Sequence, residues 1–313
     1  QRQMCIRDSL VYASSWIKYH EPAAFCAALL NAQPMGFWSP HTLVRDARRH
    51  GVVVHTPDLN ASLAAATLEP CAESVGAVAV RLGLGSVRGI GSDLAEEIEA
   101  VRAAGGAYTD TEDLVRRVPA LTLSQLEALA TAGAFEGCFG LDRREALWAV
   151  GATAQSRPGR LAGVVTGADA PRLPGMTPVE EAVADLWATG VSPDGHPTVF
   201  VRDRLTELGV LTSDRLHEPE PGTTVQVAGV VTHRQRPMTA QGVTFLNLED
   251  ETGLINVVCS VGFWKHYRKV AQGAAALLVR GKLERTVDGV VNVVADRFDP
   301  LPVAASVPSR DFR

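Results

Sequence analysis

Hydrophobic and polar positions change their spacing along this chain. Residues 1–9 have neither helical nor strand periodicity and join abruptly to the next segment, so we expect them to be a non-native segment. Residues 10–60 predict two helices, each with a proline at its start, and a short β-branched exit strand. After a connector at 61–79, residues 80–150 predict four further helices.

The next segment is marked by composition. Pro and Gly concentrate between residues 157 and 178, which is typical of a linker. Two helices are predicted beyond it, at about 179–189 and 197–208. We therefore interpret residues 151–222 as a linker that carries two helices.

The last large block has the period of β-strands. Over residues 223–301, apolar and polar residues alternate in five runs, and one helix-like stretch, FWKHYRKVA, separates the third run from the fourth. Five strands with this one insertion predict a five-stranded OB-fold β-barrel. Residues 302–313 are left as a tail.

Charge is distributed unevenly along the 313 residues. The formal net charge is −5, but residues 161–222 hold four Lys or Arg against ten Asp or Glu, and the rest of the chain sums to +1. The acidic character therefore belongs to the linker, and a nucleic-acid-binding role for the flanking parts stays open. At 46% hydrophobic and 21% charged residues, the chain is typical of globular proteins that build real cores.

The sequence also predicts the cellular location of the protein and the redox state of its cysteines. Apolar residues never run to about 18 in succession, so no membrane span is predicted. The start of the chain lacks the features of a secretory signal, and the five cysteines are dispersed without CxxC spacing. We therefore expect a cytoplasmic protein with reduced cysteines.

A glycine pair opens one of the predicted helices. Gly89-Ile90-Gly91 follows an apolar lead-in and precedes a helix whose first turn holds Ser92, which is the pattern of a helix-hairpin-helix motif. Glycines allow a tight turn, and the amides at the helix start, with Arg88 beside them, can hold a phosphate. Such a hairpin grips the DNA backbone without reading bases. The alternative is a helix cap in which the glycines only allow the backbone conformation and bind no ligand.

Strand alternation sorts the OB block into two faces. Leu246 and Leu248 are predicted to face the core, which puts their neighbours on the outside. An aromatic side chain among amides and cations suits the stacking of bases and the tracking of phosphates. The alternative is an ordinary solvated edge. The predicted nucleic-acid face consists of Phe245, Asn247, Asn256, Arg280, Lys282 and Asn292, extended into the following loop by Arg234 and Arg236.

Residues for catalysis or metal binding do not come together in the sequence. The eight histidines show no HxH or HExxH spacing, and the glycine-rich run fits neither a dinucleotide nor a phosphate loop. Glu249-Asp250-Glu251 is most simply a polar turn, and His196 a capping or packing residue. No catalytic residue, metal ligand or cofactor site is therefore predicted within this chain.

Several longer motifs occur here in one order. They are WIKYHEPAAFCAALLNAQ, GVVVHTPDLNAS, LGLGSVRGIG, LATAGAFEGCFGLDRREAL, ADLWATGVSPDGHPT, VAGVVTHRQRP, GVTFLNLEDETGLINVVCS and ALLVRGKLER. This series resembles bacterial C-family DNA polymerases, the alpha subunit family of DNA polymerase III. The amino-acid sequence of the barrel segment resembles that of the error-prone, damage-tolerant branch. An end about a dozen residues after the barrel is also similar to that branch.

The resemblance implies a C-terminal fragment with a multidomain α + β fold. A helical fingers remnant (10–60) and a tandem helix-hairpin-helix region (80–150) would precede the five-stranded OB-fold β-barrel (223–301). The family's palm, whose carboxylates hold two metal ions, would be absent, so the fragment should be inactive alone. Lys18 is the one fingers residue that the resemblance marks for a DNA backbone contact. The second hairpin, around Gly133, is degenerate, and we expect it to pack rather than to bind.

The predicted function is the DNA-binding portion of an error-prone (translesion) DNA polymerase, in replication and damage-induced repair synthesis. Duplex would be held by the hairpin and the single-stranded template by the OB domain. The full-length parent would use Mg²⁺ and deoxynucleoside triphosphates, and its implied partners are the sliding clamp and other mutagenesis-complex proteins. Two alternatives stay open: a stand-alone recruitment module of a repair complex without polymerase activity, and an OB barrel that mainly docks proteins.

Overall fold

A computed structural model describes most of the chain, and it divides into two compact units. The first unit holds Gln1–Thr177 with Ala188–Pro193, and the second holds Pro178–Trp187 with Asp194–Arg313. Much of the Pro/Gly-rich stretch and most of the predicted tail lie outside the described residues. The described residues are 2–35, 38–156, 159, 161, 167, 170–171, 173–193, 195–237, 240–286, 289–301 and 310–312.

The first unit begins with three helices beside a small sheet. The helices are α1 (Arg2–His20), α2 (Pro22–Asn31) and α3 (Pro40–Arg49). The predicted proline starts are confirmed, and Ser39 caps α3 by accepting a hydrogen bond from the Thr42 amide. The strands are β1 (Val54–His55), β2 (Thr67–Pro70) and β3 (Val78–Arg81), in the order β1-β3-β2 with β1 and β3 parallel.

The rest of the first unit is helical. Its helices are α4 (Gly91–Gly105), α5 (Thr111–Arg117), α6 (Leu123–Thr131), α7 (Glu136–Phe139) and α8 (Arg143–Thr153). Capping boxes at Thr122 and Asp142 start α6 and α8, which explains why both starts could be read from the sequence. A core around Leu84, Ile98 and Phe135 joins these helices. The predicted helical region is confirmed.

The second unit is a closed barrel with helices attached. The helices are α9 (Pro178–Thr189, of which the last two residues belong to the first unit), α10 (Arg202–Glu207) and α11 (Val261–Gly273). The strands are β4 (Val210–Leu211), β5 (Thr224–Gln235), β6 (Thr244–Glu249), β7 (Leu254–Cys259), β8 (Ala276–Arg285), β9 (Val291–Pro300) and β10 (Arg310–Phe312). The main strands follow the order β5-β6-β7-β9-β8, and β8 pairs back onto β5.

Closure of the barrel depends on the bend in β5. The first half of β5 pairs with β8 and the second half with β6, with a register shift between Val231 and His233. A β-carbon on Gly229 would lie 2.6 Å from the carbonyl oxygen of Glu249, so only glycine fits where the strand turns across its neighbour. The five-stranded OB-fold β-barrel and the α + β fold class are confirmed.

Three local features depart from the sequence expectations. Residues 2–9 belong to α1, and the side chains of α1 that the structure describes, from residue 8 onward, are mostly exposed, so this part has no buried face to produce a period. That residues 1–9 are a non-native segment stays a prediction. The connector at 61–79 contains β2 and part of β3. The helix expected at 197–208 is regular only over α10, and the sheet gains β4 and β10 as short parallel additions to β5.

The buried cysteines behave as the small hydrophobes expected from the sequence. Cys26 lies in a core between α2 and α3, and Cys259 lies in the barrel core. Burial raises the pKa of both thiols to about 12. Both side chains therefore stay protonated at neutral pH and serve packing rather than chemistry.

Candidate nucleic-acid interface

The glycine hairpin is a tight turn fixed from two sides. Gly89 and Gly91 have φ values of +77° and +69°, in the left-handed region that favours glycine. Between them the Ile90 side chain is 5% exposed and packs in the helical core. Gln125 on α6 donates a 2.8 Å hydrogen bond from Nε2 to the Gly89 carbonyl. The turn is therefore held rigidly while Arg88, Gly89, Gly91 and Ser92 are exposed.

The hairpin presents backbone amides at the start of a long helix. α4 begins directly at Gly91, and no side chain caps its first amides. Those N–H groups and the helix dipole favour a negatively charged ligand. Asp93, also in the first turn, opposes a phosphate, although it accepts a hydrogen bond from Ser92. The geometry fits a contact of moderate strength with a DNA backbone.

The second glycine turn is part of the core. Ala132, Gly133 and Ala134 are buried, Phe135 is fully buried, and the Ala134 carbonyl accepts a hydrogen bond from the Leu59 amide. This turn offers no exposed amides to a ligand. The expectation that it packs is confirmed, and that it does not bind stays a prediction.

One outer face of the barrel collects most of the predicted binding residues. Asn247 pairs in register with Asn256, which pairs with Asn292, so three amides form one row across β6, β7 and β9. We call these residues the amide row. None of the three side chains has a hydrogen-bond partner among the residues that the structure describes. Their amide groups are therefore available to a ligand.

A second row runs beside the amide row. Phe245 pairs with Val258, Val258 with Val294, and Val294 with Lys282 on β8. Phe245 is half-buried and Lys282 is exposed, whereas the alternating residues Leu246 and Leu283 are fully buried. The row therefore places an aromatic ring at one edge of the face and a cation at the other. The predicted alternation is confirmed here.

The two arginines at the end of β5 separate in the structure. Arg234 is only 7% exposed, and its guanidinium donates hydrogen bonds to the carbonyl oxygens of Ala271 and Ala274 at the end of α11. Its predicted place on the outer face was wrong, because the register shift after Val231 turns it toward the helix end. Arg236 is exposed in the loop after β5, as expected.

Two other predicted cations have acidic partners. Arg280 is exposed and its Nε lies 2.7 Å from Oδ1 of Asp296. Lys18 on α1 has its Nζ 2.8 Å from Oδ2 of Asp46 on α3. Both pairs are at the surface, where such pairs contribute little to stability and can open. A contact of either cation with nucleic acid therefore stays a prediction.

The acidic turn after β6 is a buried polar network that sequence reasoning did not find. Asp250 is fully buried and accepts hydrogen bonds from the amides of Thr252, Gly253 and Ser213. Glu251 accepts hydrogen bonds from the Arg202 guanidinium and the Thr198 hydroxyl. These contacts tie the segment around α10 to the barrel of the same unit.

His196 extends this network. It is buried, and its Nδ1 lies 2.6 Å from the Thr198 hydroxyl oxygen. This agrees with the capping or packing role predicted from the sequence. Among the described residues, no group of three or more His, Cys, Asp or Glu could hold a metal ion. No described helix is long and apolar enough to span a membrane.

Comparisons with known proteins match each of the two candidate regions by itself. A family model described as a helix-hairpin-helix motif matches residues 51–146, and one described as an OB-fold nucleic acid binding domain matches residues 225–301. Proteins named error-prone DNA polymerase match 97% of the chain, with 58% identity in Mycolicibacterium paratuberculosis, 57% in Mycobacterium tuberculosis and 48% in Corynebacterium glutamicum. The chain is similar in sequence to error-prone DNA polymerases. The resemblance drawn from the motifs is thereby confirmed.

The match covers only part of the length of the relatives. The chain spans about 27% of the length of the polymerases from Mycolicibacterium paratuberculosis and Mycobacterium tuberculosis. Among solved structures, an asparaginyl-tRNA synthetase from Pyrococcus horikoshii is 18% identical over 27% of this chain and 20% of its own, with a TM-score of 0.23. An overlap of that size carries no argument about function.

Proposed function

We propose that this chain is a DNA-binding part of an error-prone DNA polymerase. In this proposal the OB barrel holds single-stranded template, and the Gly89–Gly91 hairpin holds duplex through its backbone. The observation that carries the proposal is the outer barrel face, where Phe245, Lys282 and the amide row lie together in register. The relatives' name supplies the kind of protein to which such a face would belong.

The barrel face supports a contact that tolerates many sequences. A half-buried aromatic ring can stack on any base, because every base has a π-face. The amide row can hydrogen-bond to base edges, and Lys282 can attract a phosphate. Such a face would hold a template strand irrespective of its sequence or of a damaged base.

We assign the polymerase reaction to the full-length parent and not to this chain. Templated nucleotidyl transfer, with Mg²⁺ and deoxynucleoside triphosphates, would be the activity of the full-length parent. The described residues contain no cluster that fits a metal, so no step of that reaction is assigned to them. We propose that the chain alone is inactive, that it acts in the cytoplasm, and that the sliding clamp and other mutagenesis-complex proteins are partners of the parent.

A salt series with the 313-residue chain tests the proposal. Fluorescence anisotropy would follow the binding of labelled single-stranded and primed-template DNA. We expect affinity to fall linearly on a log–log plot against salt, by about 0.7 per phosphate contact for single strands. Absence of binding to both substrates at low salt would refute a DNA-binding role for this chain.

A glycine substitution tests the hairpin. Gly91→Ala adds a β-carbon with nothing within 4 Å, so its effect comes from the positive φ alone. The turn should relax and weaken duplex binding by up to about fivefold to thirtyfold, from a strain of about 1–2 kcal/mol. Gly76→Ala is the matched control, because Gly76 has φ +72° and equal free space in a turn away from the hairpin. Equal losses of affinity in both variants would count against the hairpin.

A further inference from the structure

The barrel contains a long stretch without acidic residues. Residues 252–283 include no Asp or Glu, although they hold five Lys or Arg. Two of these cations belong to β8, and three lie on α11: Lys265, Arg268 and Lys269. The modest charge of the whole barrel therefore hides a local concentration of positive charge on one helix.

The two sides of α11 have different composition. Phe263, Trp264 and Tyr267 pack against the barrel core, and the rings of Phe263 and Tyr267 contact Phe298. The aromatic residues of the helix therefore serve packing. Lys265 and Lys269 are exposed on the other side, one turn apart, and neither has an acidic partner among the described residues. Within the described part of the chain, Arg268, beside them, donates only to Gln272.

The cationic side of α11 continues the outer barrel face. A β-carbon on Gly242 would lie 3.3 Å from Cγ2 of Val261 and 3.4 Å from Nη2 of Arg236. The Arg236 guanidinium and the first residue of α11 therefore lie on either side of Gly242. Arg236 also directly follows Gln235, which pairs with Phe245. Lys265 lies one helical turn beyond Val261. The cations therefore extend along the helix from the edge of the outer barrel face at which Phe245 lies.

We propose that the outward side of α11, formed by Lys265, Arg268 and Lys269, is a second backbone contact for single-stranded nucleic acid. It would receive the strand that leaves the barrel face past Arg236. The cations extend over about 6 Å of helix from Lys265 to Lys269, at about 1.5 Å per residue. The inference rests on the proposed function, since it lengthens the same binding path.

The composition of this surface favours nucleic acid over a protein partner. The exposed residues of α11 are Gly262, Lys265, His266, Arg268, Lys269, Gln272 and Gly273. None is an apolar or aromatic anchor of the kind that dominates protein–protein binding. Contacts with phosphate need only positive charge and hydrogen-bond donors. A polyanion with regularly spaced charges therefore fits this surface best.

The length of the DNA distinguishes this second contact from the first. An oligothymidylate of about 8 nucleotides can cover one OB face, and one of about 30 nucleotides can also reach α11. In the 313-residue chain, the double variant K265Q/K269Q should bind the short strand unchanged. It should bind the long strand about tenfold more weakly at low salt, with a salt slope smaller by about 1.4 for two lost phosphate contacts.

A matched variant controls for net charge. Arg204 and Arg215 are exposed cations of the same unit, outside α11 and the outer barrel face, so R204Q/R215Q removes the same charge. An unchanged long-strand affinity and slope in K265Q/K269Q, or an equal loss in both variants, would overturn the inference. Unchanged DNA binding with weaker binding of a polyglutamate peptide would overturn it in favour of an acidic protein. If the unaltered chain binds neither strand, the proposed function fails as well.

Discussion

Replacing Phe245 with alanine should weaken binding of single-stranded DNA by one to two orders of magnitude. Base stacking on an aromatic ring contributes about 1–3 kcal/mol per base, and Phe245 is the aromatic residue of the proposed barrel face. The ring lies on the outside of β6, while Leu246 and Leu248 fill the core. Fluorescence anisotropy with an oligothymidylate would measure the loss, and thermal melting would check that the barrel remains folded.

The control for Phe245→Ala keeps the ring. Phe245→Tyr retains a stacking surface and should bind within about threefold of the unaltered chain. If Phe245→Ala binds DNA normally but loses a protein partner, the barrel face docks proteins instead. If both variants lose affinity equally, stacking is not what the ring contributes.

Removing the Glu251 carboxylate should cost the second unit about 3 kcal/mol of unfolding free energy. Glu251→Ala deletes the acceptor of hydrogen bonds from Arg202 and Thr198. Among the residues with a described position, it leaves the half-buried Arg202 guanidinium with one acidic side chain, Asp250, at 4.0 Å. Urea unfolding followed by circular dichroism measures the loss. Glu218→Ala is the control, because Glu218 pairs with Arg215 at the surface and should matter little. Equal stability of the two variants would contradict a structural role for the network.

The same carboxylate predicts a pH dependence. Burial alone raises the pKa of Glu251, but hydrogen bonds from Arg202 and Thr198 and the Arg202 charge outweigh it and hold the pKa below the usual 4.5. A lowered pKa in the folded state stabilises the fold above pH 4.5, and this contribution disappears as the pH falls through the folded value. Urea midpoints measured from pH 7 to pH 3 should therefore converge between the unaltered chain and Glu251→Ala. A constant gap would contradict this assignment.

Local signals in the sequence located most of the secondary structure. α2 and α3 begin at prolines, α6 and α8 begin directly after capping residues, and strand alternation placed Leu246 in the core. Short or exposed elements were harder to predict. β2 and β3 pair over only four residues each, and the described side chains of α1 bury little surface, so neither produces a strong period.

The candidate site shows the same division. The exposure of Phe245 and Lys282 followed from alternation, which a regular strand preserves. Arg234 did not follow, because the register shift in β5 reverses the face of every residue after it. The network around Glu251 joins residues about fifty positions apart, and no local spacing announces such a contact. Irregular strand pairing and distant polar contacts thus mark the boundary of prediction from a single sequence.

The amide row bears on how a damaged template could be tolerated. Each asparagine carries a donor and an acceptor on one flat group, and a half-turn about its last side-chain bond exchanges them. Asn247, Asn256 and Asn292 therefore have no fixed polarity to impose on a base edge. A lesion that converts an acceptor into a donor meets a surface that can reverse with it. In the proposed function, indifference of this kind would let one strand slide along the outer barrel face whether its bases are intact or altered.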